Sequence, residues 1–149
     1  MVCCHLKQQF LPQRSWLVIL FLGIEVCTKG KVLMLKQSNY IHDILVRTNM
    51  VECKPISSPT ISCSCLQHDG DPNNDPKIYH GIVGALQYVT ITRPEITYTV
   101  NRVCQFMHRP MEHHWKEVKQ ILRYLKESMN HGLMFASSED NNFVAFSKA

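Results

Sequence analysis

The sequence predicts an α+β fold, and three observations carry that reading. Two apolar runs, residues 16–26 and 32–35, flank Thr28-Lys29-Gly30-Lys31, the pattern of a β-hairpin. Farther along, Met111, Trp115, Val118, Leu122, Leu125 and Met129 recur at alternating four- and three-residue steps, which draws an apolar stripe along a long helix. Between these regions, residues 52–75 hold Pro55, Pro59 and Pro72 among many Ser and Asp and show no apolar period. The expected architecture is an N-terminal hairpin, a long connector, a cluster of about three helices and a short terminal strand pair.

Taken in order, residues 1–15 have no period and form an ill-defined lead-in. Residues 16–51 hold the hairpin, where Gly30 can take positive φ in the turn, followed by a helix. Ser38 or Asn39 can cap that helix, Tyr40, Ile41, Ile44 and Leu45 share one face, and it should fade near Asn49. Residues 52–75 are a connector of a length uncommon inside a compact domain, and so a flexible boundary.

Residues 76–132 form the helical region. Asp75-Pro76 is a strong helix start, a side-chain acceptor followed by a ring already at helical φ. The helix places Ile78, Tyr79, Ile82, Val83, Leu86 and Val89 at helical spacing, and Gly81, Gly84 and Ala85 leave room for a close neighbour. Pro94 should end it at Arg93 or kink it. A second helix runs from Pro94 with Ile96, Val100, Val103 and Met107 buried. The long helix opens at Arg109-Pro110, and Asn130-His131-Gly132 supplies its stop. Residues 133–149 hold two short strands, 133–135 and 143–146, around a polar turn at 137–142.

Composition narrows the class. The chain has 149 residues, 45% hydrophobic and 19% charged, ordinary values for a globular protein that buries a core. Its net charge is +4, and residues 93–126 carry all of it: Arg93, Arg102, Arg109, Lys116, Lys119, Arg123 and Lys126 against Glu95, Glu112 and Glu117. Seven cysteines is an odd number, and Cys3-Cys4 and Cys63-x-Cys65 are too close to staple a loop, so a reducing compartment is expected. The apolar run at 16–24 is too short to span a bilayer and is followed by no small-x-small cleavage site. No membrane partner and no small-molecule substrate are expected.

Several segments then resemble one family. Phe21-Leu-Gly-Ile-Glu-Val26 is similar to the strand after the polymerase palm in copia-type elements, and Tyr40-Ile-His-Asp-Ile-Leu-Val-Arg-Thr-Asn-Met50 to the helix that follows. The densest match runs through Ile82-Val-Gly-Ala-Leu-Gln-Tyr88, Thr92-Arg-Pro-Glu-Ile96, Val100-Asn-Arg-Val103, Gln105-Phe-Met107, His114-Trp115, Ile121-Leu-Arg-Tyr-Leu-Lys126 and His131-Gly-Leu133. Each motif is weak alone; collinear over residues 20 to 147 they resemble a copia-type LTR retrotransposon Pol polyprotein, from the end of the reverse transcriptase to the start of ribonuclease H.

The resemblance implies a thumb-like or connecting region behind the palm. Polymerisation in the family uses paired aspartates in a Tyr-x-Asp-Asp turn, because two divalent ions must be held about 4 Å apart. This sequence has no Asp-Asp pair. Its start at Met1 is expected to leave no room for fingers and palm. Val144-Ala-Phe-Ser147 resembles the first ribonuclease H strand, yet Lys148 stands where the family has a metal-binding aspartate. Glu127-Ser128 stands where the family usually has Gly-Thr. The expectation is a catalytically incomplete fragment, with no catalytic residues, no metal and no cofactor. The alternatives are a weak, sequence-independent nucleic-acid-binding module, or a subunit that assembles with separately encoded polymerase pieces such as a palm fragment. The family location is intracellular, cytoplasmic or nuclear, with a mitochondrial one also open.

The functional lead is Lys116, Lys119, Arg123 and Lys126, which lie about 110° round the long helix from its apolar stripe. They could meet the phosphate backbone of an RNA or DNA duplex in a salt-sensitive, sequence-independent way; a solvated helix face is the plainer reading. Trp115 and Tyr124 could stack on bases, but Trp115 sits on the core stripe. His108, His113, His114 and His131, and Cys63-x-Cys65 with His68, lack the paired spacing of structural zinc. Cys104 lies on an apolar face and is expected to be inert. Ser57, Ser58 and Ser62 lack a nucleophile turn, and Gly81 with Gly84 opens no phosphate-binding loop.

Overall fold

The computed structural model describes residues 17–29, 31–60, 70–73 and 75–136. Gly30, the Cys63-x-Cys65 loop with His68, and the strand expected at 143–146 lie outside them. The fold is α+β, with one antiparallel sheet and four α-helices among the described residues.

The sheet has the order β1 (Leu17–Phe21), β2 (Ile24–Lys29), β3 (Val32–Lys36), β4 (Leu133–Ala136). The apolar run expected as one strand is two. It folds back at Leu22-Gly23, where φ is 50° and 81°, and Phe21 pairs with Ile24. Two left-handed residues in a two-residue loop match the right-handed twist of the strands they join. Periodicity concealed the turn because Leu22 is apolar and so continues the run, although it projects into solvent.

The first of the two expected terminal strands, β4, joins the N-terminal sheet. It lies along β3, Leu35 facing Leu133 and Met34 facing Met134. Gly132 makes this possible: a Cβ there would collide with the Leu35 carbonyl oxygen. By register, Ile24, Val26, Leu33, Leu35, Leu133 and Phe135 share one sheet face. None of the six is fully buried, while Glu25 and Cys27 on the opposite face are.

α1 (Ser38–Arg47) starts without a side-chain cap from its own sequence. Ser38 instead donates its hydroxyl to the Met129 carbonyl at 3.2 Å. The cap comes from the sheet: the Asn39 amide donates to Glu25 Oε1 at 3.0 Å, which sets a carboxylate at the positive helix end. The helix ends at Arg47, near the Asn49 where it was expected to fade, and Asn49 takes φ 53°.

α2 (Pro76–Val89) begins as the sequence predicts. Asp75 Oδ1 accepts from the amides of Lys77 and Ile78, both at 3.1 Å, with Pro76 in the first turn. It ends at Val89 rather than Arg93. Thr90, which donates its hydroxyl to the Gln87 carbonyl at 2.6 Å, opens a β-branched run, Thr90-Ile91-Thr92, that competes with the helical ladder. Ile78 is exposed, and a Cβ at Gly81 or Gly84 would meet nothing within 4 Å among the described residues. The close neighbour expected there is absent from the described residues.

A single 3-10 turn at Pro94–Ile96 leads into α3 (Thr97–Cys104), which buries Thr99, Val100 and Val103. α4 (Glu112–Glu127) starts later than Arg109-Pro110 and buries His114, Glu117, Val118, Ile121, Leu122 and Leu125. Its buried face is therefore rotated from the expected stripe, with Trp115 and Met129 only half-buried against the core. The helices share one core that also takes in Ile41, Ile44 and Leu45 of α1.

The described parts of the connector lie on this helical body. The Cys53 carbonyl accepts from Lys126 Nζ at 2.6 Å, the Ser58 carbonyl from Gln120 Nε2 at 3.1 Å, and Thr60 and Thr99 join hydroxyls at 3.0 Å. At its far end Asn73 donates its amide to the Pro110 carbonyl at 2.9 Å.

Candidate nucleic-acid interface

α4 positions the predicted basic residues. Met111 is its extended N-cap, and the Met111 amide donates to His114 Nδ1 at 3.0 Å. His114, fully buried and stacked on Phe106 with ring centroids 4.0 Å apart, thereby closes the helix start from its third position. With the start fixed and six side chains buried, the outward arc is fixed as well.

Lys116, Lys119 and Arg123 lie exposed on that arc. Lys119 Nζ stands 5.8 Å from the Trp115 ring centroid, a cation–π distance. Lys126 is half-buried, its ammonium engaged with the Cys53 carbonyl. Three of the four predicted side chains are thus presented together and the fourth ties α4 to the connector. Rows of such cations meet phosphates at long range and read no base edges.

The other basic residues of this stretch divide differently. Arg93 is 1% exposed. Its Nε donates to Glu95 Oε1 at 2.5 Å, and its terminal nitrogens donate to the Ser128 carbonyl at 2.8 Å and Ser128 Oγ at 2.5 Å. Thr92 beside it donates to Gln37 Oε1 at 2.7 Å. Thr92-Arg93-Pro94-Glu95 is therefore an internal clasp between α1, α4 and the 3-10 turn. Only the combination of Arg93 with Ser128, 35 residues later, could have signalled it, and no local pattern links the two. Arg102 reaches over the ring of Tyr98, its Cζ 6.0 Å from the centroid. Their i, i+4 spacing was the available sequence signal.

The remaining candidates separate. Trp115 packs at a tilt against Tyr79 with centroids 6.3 Å apart. Tyr124 sits beside the Arg93 guanidinium, its hydroxyl 3.4 Å from Glu95 Oε1. Among the described residues, no group of three or more His, Cys, Asp or Glu is placed to hold a metal ion. His108 and His131 are exposed. Cys104 is half-buried, its sulfur accepting from Gln87 Nε2 at 3.1 Å, and burial pushes its thiol above the usual range. No helix among the described residues is long and apolar enough to cross a membrane.

Comparison with known proteins adds a second line of evidence. The chain is 42% identical over 146 residues to the retrovirus-related Pol polyprotein from transposon RE1 of Arabidopsis thaliana, a match spanning 97% of this chain and 10% of that polyprotein. It is 39% identical over 145 residues to the corresponding polyprotein from transposon RE2 of the same plant, again 97% of this chain and 10% of the relative. An uncharacterized mitochondrial protein of Arabidopsis thaliana is 40% identical over 131 residues, 85% of this chain and 52% of the relative. The chain thus spans about a tenth of the two polyproteins and about half of the mitochondrial protein. No family model and no solved structure matches it.

Proposed function

We propose, from the premise that this chain is homologous to one segment of the copia-type retrotransposon Pol polyproteins, that it is a non-catalytic scaffold segment of a polymerase. Its basic α4 edge rests on a nucleic-acid backbone. The observation that carries this reading is the division of its basic residues. Arg93, in one of the family-like motifs, is sealed into an internal clasp, whereas Lys116, Lys119 and Arg123 stand exposed in a row. The sequence also has no Asp-Asp pair with which to gather two catalytic ions.

Filter binding of duplex DNA and RNA–DNA hybrid at two salt concentrations tests the reading. Every phosphate that a variant no longer neutralises should lower the slope of log affinity against log salt by about 0.9. Replacing Lys116, Lys119 and Arg123 together by Ala should therefore flatten it by roughly 2 to 3. Unchanged binding in that variant would remove α4 from the interface. Primer extension by the purified chain with Mg²⁺ or Mn²⁺ would overturn the non-catalytic part.

A second reading, assembly with a separately encoded palm fragment, is favoured by one observation. Six apolar side chains of the sheet share a face on which none is fully buried. Co-purification with a copia palm fragment, abolished by placing a charge at Val26 or Leu35, would support it; no association would end it.

A further inference from the structure

Proline follows a serine or threonine at a single place in the sequence, Ser58-Pro59. A proline biases the residue before it toward extended backbone, the form in which a kinase cleft holds a peptide. Ser58 is exposed, its Oγ donating only locally, to the Thr60 carbonyl at 3.1 Å. The fold then gives this serine a particular address. Its own carbonyl accepts from Gln120 Nε2 of α4 at 3.1 Å. Residues three and four apart are neighbours on a helix face, so Gln120 lies between Lys116, four residues before it, and Arg123, three after. Both cations are exposed. Among the described residues neither makes an ion pair, unlike Lys36 with Glu25 or Arg93 with Glu95. Lys126 and Lys119 differ in being engaged, with the Cys53 carbonyl and the Trp115 ring.

We propose that Ser58 is a phosphorylation site whose phosphate docks on Lys116 and Arg123 and so closes the α4 row to nucleic acid. The modification needs a proline-directed serine kinase and a nucleoside triphosphate with Mg²⁺. The γ-phosphorus leaves its bridging oxygen for Ser58 Oγ, the hydroxyl proton passes to the kinase's base, and the nucleoside diphosphate departs. The product carries a charge of about −1.5 to −2 and three strong acceptor oxygens. Two cations one turn apart on either side of Gln120 match that charge, and the guanidinium can fork onto two of the oxygens. Because this phosphate is tethered to the same molecule, it competes with a duplex at an effective concentration on the order of mM. The inference rests on the nucleic-acid reading above and supplies its regulation.

Incubating the full chain with a proline-directed serine kinase and Mg-ATP, then mapping the product by mass spectrometry, tests the site. Phosphate should enter at Ser58; Ser57→Ala should accept it as the parent does, and Ser58→Ala should not. The phosphorylated chain should bind duplex DNA roughly tenfold more weakly at low salt, with a salt slope lower by about 2 for the two cations withdrawn. In phosphorus NMR its phosphoserine should titrate below the ordinary value of about 6, because neighbouring cations favour the dianion. Lys116→Ala with Arg123→Ala should restore that value. The three side chains are exposed, so thermal melts of the unmodified variants should overlay the parent. No incorporation at Ser58 would overturn the proposal. So would a phosphorylated chain that binds duplex as tightly as the parent, while the Lys116/Lys119/Arg123 variant binds weakly; the α4 reading would then stand alone. A parent chain that binds no duplex at low salt would sink both.

Discussion

Arg93 is a buried charge whose three guanidinium nitrogens each donate one bond, to Glu95 or to Ser128, and its guanidinium lies 5.7 Å from the Tyr124 ring centroid. Arg93→Ala opens a cavity and leaves Ser128 short of its partners, so urea denaturation should show a loss of about 3 kcal/mol. Arg93→Lys should recover little of it, since an ammonium cannot fork to both ends. A loss below about 0.5 kcal/mol, the level of a surface substitution, would remove the clasp from the account. A second residue-scale expectation concerns alkali. Burial raises the thiols of Cys27 and Cys104 above their ordinary 9.0 and the Tyr79 hydroxyl above its ordinary 10.0. Well below pH 9 all three are protonated whether the chain is folded or not, and their contribution is constant. Above it the unfolded chain ionises first, so stability should fall as pH rises toward the folded values. Thermal melts at rising pH should show this fall, and Tyr79→Phe should shallow it above pH 10.

Among the elements, the junction of Gly132 with β3 is the most exacting. Any Cβ there meets backbone rather than a flexible side chain, so Gly132→Ala should detach β4 while leaving the helical core intact. Amide exchange should quicken at Leu133–Ala136 and at the β3 amides facing them, with α2 and α4 protected as before; unchanged exchange would contradict the geometry. This position also marks how far sequence patterns reach. Asp75-Pro76 announced α2 because its cap is local, and α1 ended near Asn49, as expected. The α1 cap was illegible because its acceptor, Glu25, arrives from another element. The turn at Leu22-Gly23 was hidden by an apolar residue in a left-handed position. His114 reads as an ordinary polar residue on a helix, and its inward rotation follows from the bond to the Met111 amide.

For the molecule as a whole, the α4 row was readable from charge spacing, since the outward arc of an amphipathic helix follows from its inward one. The seat of Ser58 was not, because the connector that carries it reaches Gln120 from 62 residues away. The outer sheet face leads to a further expectation. Changing Val26 and Leu35 together to Thr should raise solubility and suppress association on concentration, and should alter the melting temperature little, because neither side chain belongs to the helical core. A drop of more than about 5 °C, the shift expected of a kilocalorie-sized loss, would mean that the face is packed in the free chain. The same sheet bears on biosynthesis. β4 leaves the ribosome roughly a hundred residues after β3, on the order of 5 to 20 seconds at ordinary elongation rates. Throughout that interval the nascent chain offers an unzipped hydrophobic ribbon, a natural client for a chaperone waiting at the tunnel exit.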